Sequence, residues 1–257
     1  MIPHLEPLEA RVVPTTLTNH GGPVLAHPQV NDVFVGWAVP PMDQLAQVMT
    51  TQYAAILAPY GVGEGGWHSS ITVPDSGPIS DAQVRQLLAT QIVAGMVPAP
   101  DGDQLYMVYL PQQVTDAWAV NASAYHSAFM DNGVWVPYAV IPAQPNESIP
   151  ASHEFAEMAT DPIVGTGWFG ADTEQEVADL YNWQAFHLAG FPVTILASPD
   201  GTPLVGPGLS EQAALAALPV EEFFAFAWSY IAWLDPLFAP EARAAVAVLH
   251  ANPMFGF

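Results

Sequence analysis

Cysteine and lysine are both absent from this chain of 257 residues, and arginine occurs only three times. Without cysteine the protein has no disulfide, no thiolate metal ligand and no cysteine nucleophile. Long hydrophobic runs are missing too, since no stretch reaches the roughly 18 apolar residues that a transmembrane helix needs. We therefore expect no membrane span, and the longest apolar segment, residues 223–234, predicts a buried helix.

The few basic residues stand against many acidic ones. Asp and Glu together number 25, the only cations with a permanent charge are Arg11, Arg85 and Arg243, and the formal net charge is −22. Such a charge repels phosphate groups, and three arginines cannot form a basic patch. We therefore expect neither nucleic acid nor an anionic membrane surface as a partner. Dense carboxylates suit a protein that meets divalent cations, although a solvated acidic surface is the commoner reason for them.

The N-terminus differs from an ordinary signal peptide because it lacks a cationic start followed by an apolar run. Residues 5–14 read LEPLEARVVP, which resembles a short leader pattern, LExLExRxxP, at the start of many exported bacterial proteins. We therefore expect residues 1–22 to be an export leader and loop, and the protein to be secreted or held at the cell surface. The alternative is a disordered N-terminal tail.

Strand-like and helix-like segments alternate between residues 23 and 208, and 51% of all residues are hydrophobic, enough for a sizeable core. Strands are predicted over residues 24–39, 67–73, 105–110 and 134–141, with a hairpin over 191–205. Helices are predicted over residues 42–60, 80–93 and 148–161, with a shorter one over 174–183, and further helices over 212–218, 220–237 and 240–250. This order predicts an α/β or α+β core over residues 23–208 and a C-terminal helical extension over 209–257.

Local signals mark the ends of three predicted helices. Gly61 follows the first as a C-terminal stop. Ser80 and Gln83 form a capping-box pattern at the start of the second. Pro162 closes the third, because proline disfavours helical geometry in the residue before it, here Asp161.

The segment 152–157, SHEFAE, lies in the third predicted helix and carries a metal-binding pattern. His153 and Glu157 are four residues apart, so they lie on one helix face and can contact one ion. Glu154 points roughly 100° around the helix, where it can address a water molecule on the metal. The pattern is the H-E-x-x-H arrangement of zinc metalloproteases with the second histidine replaced by glutamate.

Further carboxylates follow in the segment 174–179, EQEVAD. The layout is similar to that of the thermolysin-like zincins, in which a downstream helix supplies a third, carboxylate ligand and a nearby aspartate orients a ligating histidine. The resemblance implies that Glu176 is a ligand together with His153 and Glu157. It also implies that Glu154 is the general base and that Asp179 supports a ligand.

Two further residues compete for places at this site. Asp161 is a candidate ligand or supporting carboxylate. His126 could be a fourth ligand or stabilise an oxyanion, and the alternative is a hydrogen-bonded histidine of the core or of a sheet edge. Two carboxylates on one ion weaken its Lewis acidity. We expect Zn²⁺ first, with Ca²⁺ or Mn²⁺ competing because the ligands are rich in oxygen.

A broader resemblance covers residues 23–206. A family of secreted bacterial proteins related to the plant Exordium, or phosphate-induced, proteins carries a pattern like SHELAEAVTDP…GWY…GEIGDL. In this chain residues 152–162 read SHEFAEMATDP, residues 167–169 read GWF, and residues 174–180 read EQEVADL. The resemblance implies a location outside the cytoplasm. The chain departs from the pattern in lacking a cysteine after the last segment and in adding the helical extension.

Two hypotheses of different classes follow. The first is an exported hydrolase with a zincin-like fold, a mixed sheet packed against the helix that carries His153. It would cleave a peptide bond, with a peptide or cell-surface polymer as substrate. The second is a non-catalytic cell-surface protein in which the same residues form a structural metal site or a polar network. A dinucleotide fold is disfavoured because Gly61, Gly63 and Gly66 precede a strand rather than a helix. A glycosidase is disfavoured because Glu154 and Glu157 share one helical turn.

Overall fold

A mixed sheet is the centre of the fold, and a computed structural model shows how the chain surrounds it. The structure describes residues 15–36, 43–75, 77–119, 122–144, 146–173, 175–181, 184–204 and 206. Its strands are β1 (Thr18–Asn19), β2 (Gln29–Val35), β3 (Gly66–Val73), β4 (Gln104–Leu110), β5 (Tyr125–Asp131), β6 (Val134–Pro142), β7 (Trp168–Phe169), β8 (Ala185–Leu188), β9 (Phe191–Thr194), β10 (Leu196–Ala197) and β11 (Pro203–Leu204). Its α-helices are α1 (Asp43–Val48), α2 (Asp81–Val93) and α3 (Ser148–Thr160).

Five strands form the main sheet in the order β3-β2-β4-β6-β5. Neighbours among β3, β2, β4 and β6 are parallel, whereas β5 lies antiparallel to β6 at one edge. Three small antiparallel pairs, β1 with β7, β8 with β9 and β10 with β11, accompany the sheet. The prediction of an α/β or α+β core is confirmed, and the mixed sheet with its few helices is consistent with the α+β class.

Strands β2 and β4, at the centre of the sheet, are buried on both faces. All seven residues of β4 are buried, and they alternate between two cores. One core, which includes residues of α1 and α3, receives Leu105, Met107 and Tyr109. The other, which includes residues of α2, receives Tyr106, Val108 and Leu110. A parallel strand covered on both sides must be apolar at every position, and this explains the continuous hydrophobic run of β4.

The first predicted helix is not one regular element. α1 continues as a π-helical segment over Met49–Tyr53 and as a 3₁₀ helix over Ala54–Tyr60. The hydroxyl groups of Thr50 and Thr51 donate to main-chain carbonyls one turn earlier, and such bonds compete with the regular helical pattern. The predicted stop is confirmed, since Gly61 ends the segment with a φ of 87°.

The capping box of α2 is confirmed. The Ser80 hydroxyl accepts from the main-chain N–H of Gln83 (3.4 Å), and the Gln83 side chain accepts from the N–H of Ser80 (2.8 Å). Two N–H groups that the helix itself cannot satisfy are therefore paired at its start.

β5 was not among the predicted strands. Its sequence, YHSAFMD, has no β-branched residue, so propensity gives little signal. The turn that follows does give one, because Asn132 and Gly133 have φ values of 48° and 84° and join β5 to β6 as a two-residue hairpin. An Asn-Gly pair is the sequence most typical of such a turn. This missed strand carries His126.

The hairpin predicted over residues 191–205 is two hairpins. Around Asp200 and Gly201, β10 pairs with β11 as predicted. β9, however, pairs with the preceding strand, β8, across a turn in which Ala189 and Gly190 both have positive φ. This turn is difficult to predict from the sequence, because a non-glycine residue such as Ala189 rarely adopts a positive φ.

Part of the segment predicted as a leader and loop packs on the core. Leu17 is buried, its N–H donates to the carbonyl of Pro199 (2.9 Å), and β1 pairs with β7. The rest of that segment, residues 1–14, and the predicted helices over residues 209–257 lie outside the described residues. Within the part of the chain that the structure covers, no helix is both long and apolar enough to cross a membrane.

Candidate metal centre

Helix α3 is buried along nearly its whole length and brings acidic side chains into the core. It ends at Thr160 because Asp161, the residue before Pro162, has a non-helical φ of −141° and ψ of 64°. Its apolar face, with Phe155 and Met158, packs in the core beneath the sheet. Glu154 and Glu157 are buried as well, with exposed fractions of 5% and 3%.

The position of α3 is fixed by a hydrogen bond to β9. The main-chain N–H of Thr194 donates to the Ser152 hydroxyl (3.0 Å), which itself donates to the carbonyl of Ile149 (2.9 Å). Ser152 and Thr194 are completely buried. The residue just before His153 therefore holds the helix against the hairpin of β8 and β9.

Substitution Ser152→Ala is expected to lower the free energy of unfolding by about 1–3 kcal/mol, because it leaves the buried N–H of Thr194 without its acceptor. Urea unfolding followed by circular dichroism measures this change. Ser70→Ala is the matched control, since Ser70 is exposed on β3, and it should cost less than about 0.5 kcal/mol. Equal effects of the two substitutions would show that this hydrogen bond does not fix α3.

Side chains from three segments meet at one point beside α3. His126 of β5 has its Nδ1 atom 3.4 Å from Oε2 of Glu154 and 3.3 Å from Oε2 of Glu157. Its Nε2 atom lies 3.7 Å from Oε2 of Glu176, in the loop after β7. His126, Glu157 and Glu176 each offer one ligand atom, and these atoms lie within 4.8 Å of one another. We call these three residues the inner group.

A second set of three residues shares Glu157 with the first. Nε2 of His153 lies 3.0 Å from Oε1 of Glu157 and 3.5 Å from Oδ1 of Asp179. These three side chains also offer ligand atoms within 4.8 Å of one another. Their surroundings are wetter, since the side chains of His153 and Asp179 are 14% and 25% exposed. We call His153, Glu157 and Asp179 the outer group.

The centre is acidic, and the described part of the chain supplies no permanent cation to it. Arg85, the only arginine in that part, is paired with Asp81 in the other core. Two buried atoms of the inner group, His126 Nε2 and Glu176 Oε1, make no hydrogen bond, whereas Glu157 Oε1 faces the imidazole of His153. Buried carboxylates need a proton, a paired charge or a metal ion. Without a metal ion, protonated His126 and His153 are the only positive charges that the described residues place beside these carboxylates.

The carboxyl groups respond to burial in different ways. Burial raises the pKa of Glu176 to about 10 despite the nearby His126, and burial likewise raises the pKa of Glu154. Burial also acts to raise the pKa of Glu157, but His153 and His126 outweigh it and hold this pKa at about 2. Glu157 is therefore the acid that stays ionised between the two imidazoles.

The histidines respond to those acids. Burial acts to lower the pKa of His126, but Glu176, Glu154 and Glu157 outweigh it, and the pKa lies well above its usual value. The same balance, with Glu157 as the largest opposing charge, raises the pKa of His153. Without a metal, protons thus supply the positive charge in the centre, and an ion that binds must displace them.

The donor atoms fit a divalent cation. One imidazole and two carboxylates form each group, a set found around Zn²⁺ and also accepted by Mn²⁺. Ligands about 2.0–2.2 Å from a tetrahedral ion lie about 3.3–3.6 Å apart. The closest separations in the centre are 3.0–3.7 Å. In the inner group Glu157 and Glu176 face different ring nitrogens of His126, so the side chains would have to shift before one ion could contact all three.

Asp161 supports the centre from outside both groups. Its carboxylate accepts from the main-chain N–H groups of Gly165 (2.6 Å), Thr166 (3.1 Å) and Gly167 (2.7 Å), and its charge acts to raise the pKa of Glu176. These bonds shape the turn after α3. Asp161 thus holds the loop towards Glu176 while its own oxygens are engaged by N–H groups.

Asp179 links the two groups. Its Oδ2 atom accepts from the N–H of Glu176 (2.9 Å), while Oδ1 faces His153. The 3₁₀ turn Asp179–Tyr181 is all that the structure shows of the predicted helix over residues 174–183, and residues 174, 182 and 183 lie outside the described part. The contact with His153 is the one that the zincin resemblance implies for Asp179.

The structure groups the predicted ligands differently from the sequence. His153 and Glu176, expected on one ion together with Glu157, lie in different groups. His126, expected as a fourth ligand or an oxyanion donor, lies at the middle of the inner group. The Asn132-Gly133 turn is the one local signal that places His126 on a strand.

Comparison with protein-family models, with curated proteins and with solved structures gave no match to this chain.

Proposed function

We propose that this protein is an exported metal-dependent hydrolase, most specifically a zincin-like metallopeptidase. The observation that carries the proposal is the inner group, in which His126, Glu157 and Glu176 converge in the core while a fourth buried acid, Glu154, lies 3.4 Å from the same imidazole. Burial of this many ionisable groups lowers the stability of the fold. Clusters of this kind are typical of functional sites.

The ion would be held by His126, Glu157 and Glu176, with Zn²⁺ as the first candidate and Mn²⁺ or Ca²⁺ as alternatives. When bound, it would supply Lewis-acid polarisation of a substrate carbonyl and of the attacking water. Oxygen ligands make the site more tolerant of Mn²⁺ than a three-histidine site is.

Glu154 is the proposed general base. Its carboxyl group is buried beside the inner group, and burial raises its pKa. A carboxylate whose pKa is raised towards the working pH takes a proton more effectively than a solvated one. Glu154 would accept the proton from the attacking water and pass it to the leaving amine.

Strand β5 favours an extended peptide as the substrate. β5 is the last strand of the main sheet, and no strand of the described residues pairs with its outer side. A peptide can add to such an edge through main-chain hydrogen bonds. Because β5 also carries His126, a peptide bound there would run past the centre.

The zincin-like fold, the Exordium-related family and export are proposed from resemblances in the sequence. A mixed sheet packed against α3 supports the zincin-like proposal, because that resemblance implies a sheet on the helix that carries the HExxE pattern. The likeness to the Exordium-related family rests on residues 152–180, and export rests on residues 5–14. We propose these assignments together with the activity.

One observation favours a second candidate, a non-catalytic cell-surface protein with a structural metal. The side chains of the inner group are each about 95% buried. An ion enclosed by protein on every side has no open position for a substrate. Under this second proposal the ion would hold β5, α3 and the Glu176 loop together.

Hydrolysis that depends on the ion distinguishes the two candidates. The full chain is stripped with a chelator, reloaded with Zn²⁺, Mn²⁺ or Ca²⁺, and incubated with casein as an unfolded protein substrate. We expect peptide release only after reloading, greatest with Zn²⁺. A reloaded protein that contains its ion and resists unfolding, yet releases no peptide, would contradict the hydrolase and support the structural site.

A further inference from the structure

Glu157 faces a different imidazole with each of its two oxygens. Oε1 lies 3.0 Å from Nε2 of His153, and Oε2 lies 3.3 Å from Nδ1 of His126. The carboxylate thus belongs to the inner and the outer group at once. Each group has the composition of a metal site, with one imidazole and two carboxylates.

The two groups are too far apart to hold the same ion. Two ligands on opposite sides of one ion, each at about 2.2 Å, are at most about 4.4 Å apart. Among the described residues, no set within 4.8 Å contains both His153 and Glu176, or both His153 and His126. One ion at the inner group would therefore leave His153 and Asp179 without a metal contact.

We propose that Glu157 bridges two divalent ions, one in the inner group and one in the outer group. This inference rests on the proposed function and deepens it. A bridging carboxylate holds two ions about 3.5–4 Å apart, the spacing found in two-metal hydrolases. Glu157 is 3% exposed, and its Oε1 atom faces the outer position, 3.0 Å from Nε2 of His153.

Charge supports two ions rather than one. Four carboxylates, those of Glu154, Glu157, Glu176 and Asp179, surround the centre. Two divalent ions balance four negative charges without any proton, whereas with a single ion two of these charges must be met by protons, for example on Glu154 or on the imidazole of His153. Charge left uncompensated is costly in a low-dielectric interior.

The two positions differ in their access to solvent. The ligands of the inner ion are about 95% buried, whereas His153 and Asp179 keep 14% and 25% of their side-chain surface. The outer ion would be the one that substrate reaches, and the inner ion would anchor Glu157. This division removes the conflict between a fully enclosed inner group and a hydrolytic function.

The test counts ions bound by the full chain. Stripped wild-type protein, Asp179→Asn and Glu176→Gln are dialysed against buffered Zn²⁺, and zinc per chain is measured by elemental analysis. Asp75→Asn is the matched control, because Asp75 is exposed and also accepts one main-chain N–H, that of Gly77. We expect about two ions in the wild type and the control and about one in each site variant.

The alternatives are separable. One ion in the wild type, unaffected by Asp179→Asn, would overturn the bridge and leave the proposed function standing. No ion in the wild type would overturn both. Two ions that neither site variant reduces would place them elsewhere and overturn the bridge. Electron paramagnetic resonance of the Mn²⁺ form is a second readout, since bridged ions should give a magnetically coupled spectrum and Asp179→Asn an isolated-ion spectrum.

Discussion

Substitution Glu157→Gln is expected to weaken the binding of metal to this protein severely. Glu157 is the only residue common to both groups, and His153 and His126 hold its pKa at about 2, so its carboxylate is always charged at neutral pH. Glutamine keeps the shape but removes the charge and one of the two acceptor oxygens. Loss of a ligand should cost more than the 10–100-fold that supporting residues typically cost, so we expect Zn²⁺ affinity to fall by about 100-fold or more.

Isothermal titration of stripped protein with Zn²⁺ measures this loss. Glu147→Gln is the matched control, because Glu147 precedes α3 and belongs to neither group, and it should bind zinc as the wild type does. Thermal unfolding of both variants checks that they are folded. A folded Glu157→Gln protein with unchanged zinc affinity would remove Glu157 from the centre.

Substitution Glu154→Gln is expected to lower peptide hydrolysis by about 10²–10⁴-fold, the usual contribution of a general base. The zinc content should stay unchanged, because Glu154 belongs to neither three-residue group. The amide of glutamine can still contact His126 but cannot take a proton from water. The rate is measured on casein at saturating Zn²⁺.

The combination of lost turnover and retained metal is what identifies the base. Glu147→Gln, tested in the same assay, should keep the wild-type rate. If Glu154→Gln loses its metal, Glu154 is a ligand instead. If it keeps both metal and rate, another group takes the proton.

The helix that carries the centre is predictable because its signals are local. Pro162 ends α3 at Asp161 through a clash between neighbouring residues, and Ser80 with Gln83 starts α2 through contacts within one turn. Strand β4 is equally readable, since burial on both faces requires an unbroken apolar run. These effects need no knowledge of the rest of the fold.

The centre itself depends on contacts between distant segments. His126 and Glu157 are 31 residues apart and meet only because β5 pairs with β6 and α3 packs beside both. Within β5 only Tyr125 and Phe129 favour a strand, which is a weak signal. Helical spacing predicts that His153 and Glu157 share a face, and they do lie 3.0 Å apart. It does not predict which of the two histidines Glu176 contacts.

A zinc-edge anomalous difference map from crystals of the full chain grown with Zn²⁺ tests the central claim most directly. We predict a peak within about 2.2 Å of ligand atoms of His126, Glu157 and Glu176. A map with no peak in contact with these three residues, including one whose zinc ions all lie away from Glu157, would contradict the claim that these buried groups form a metal centre.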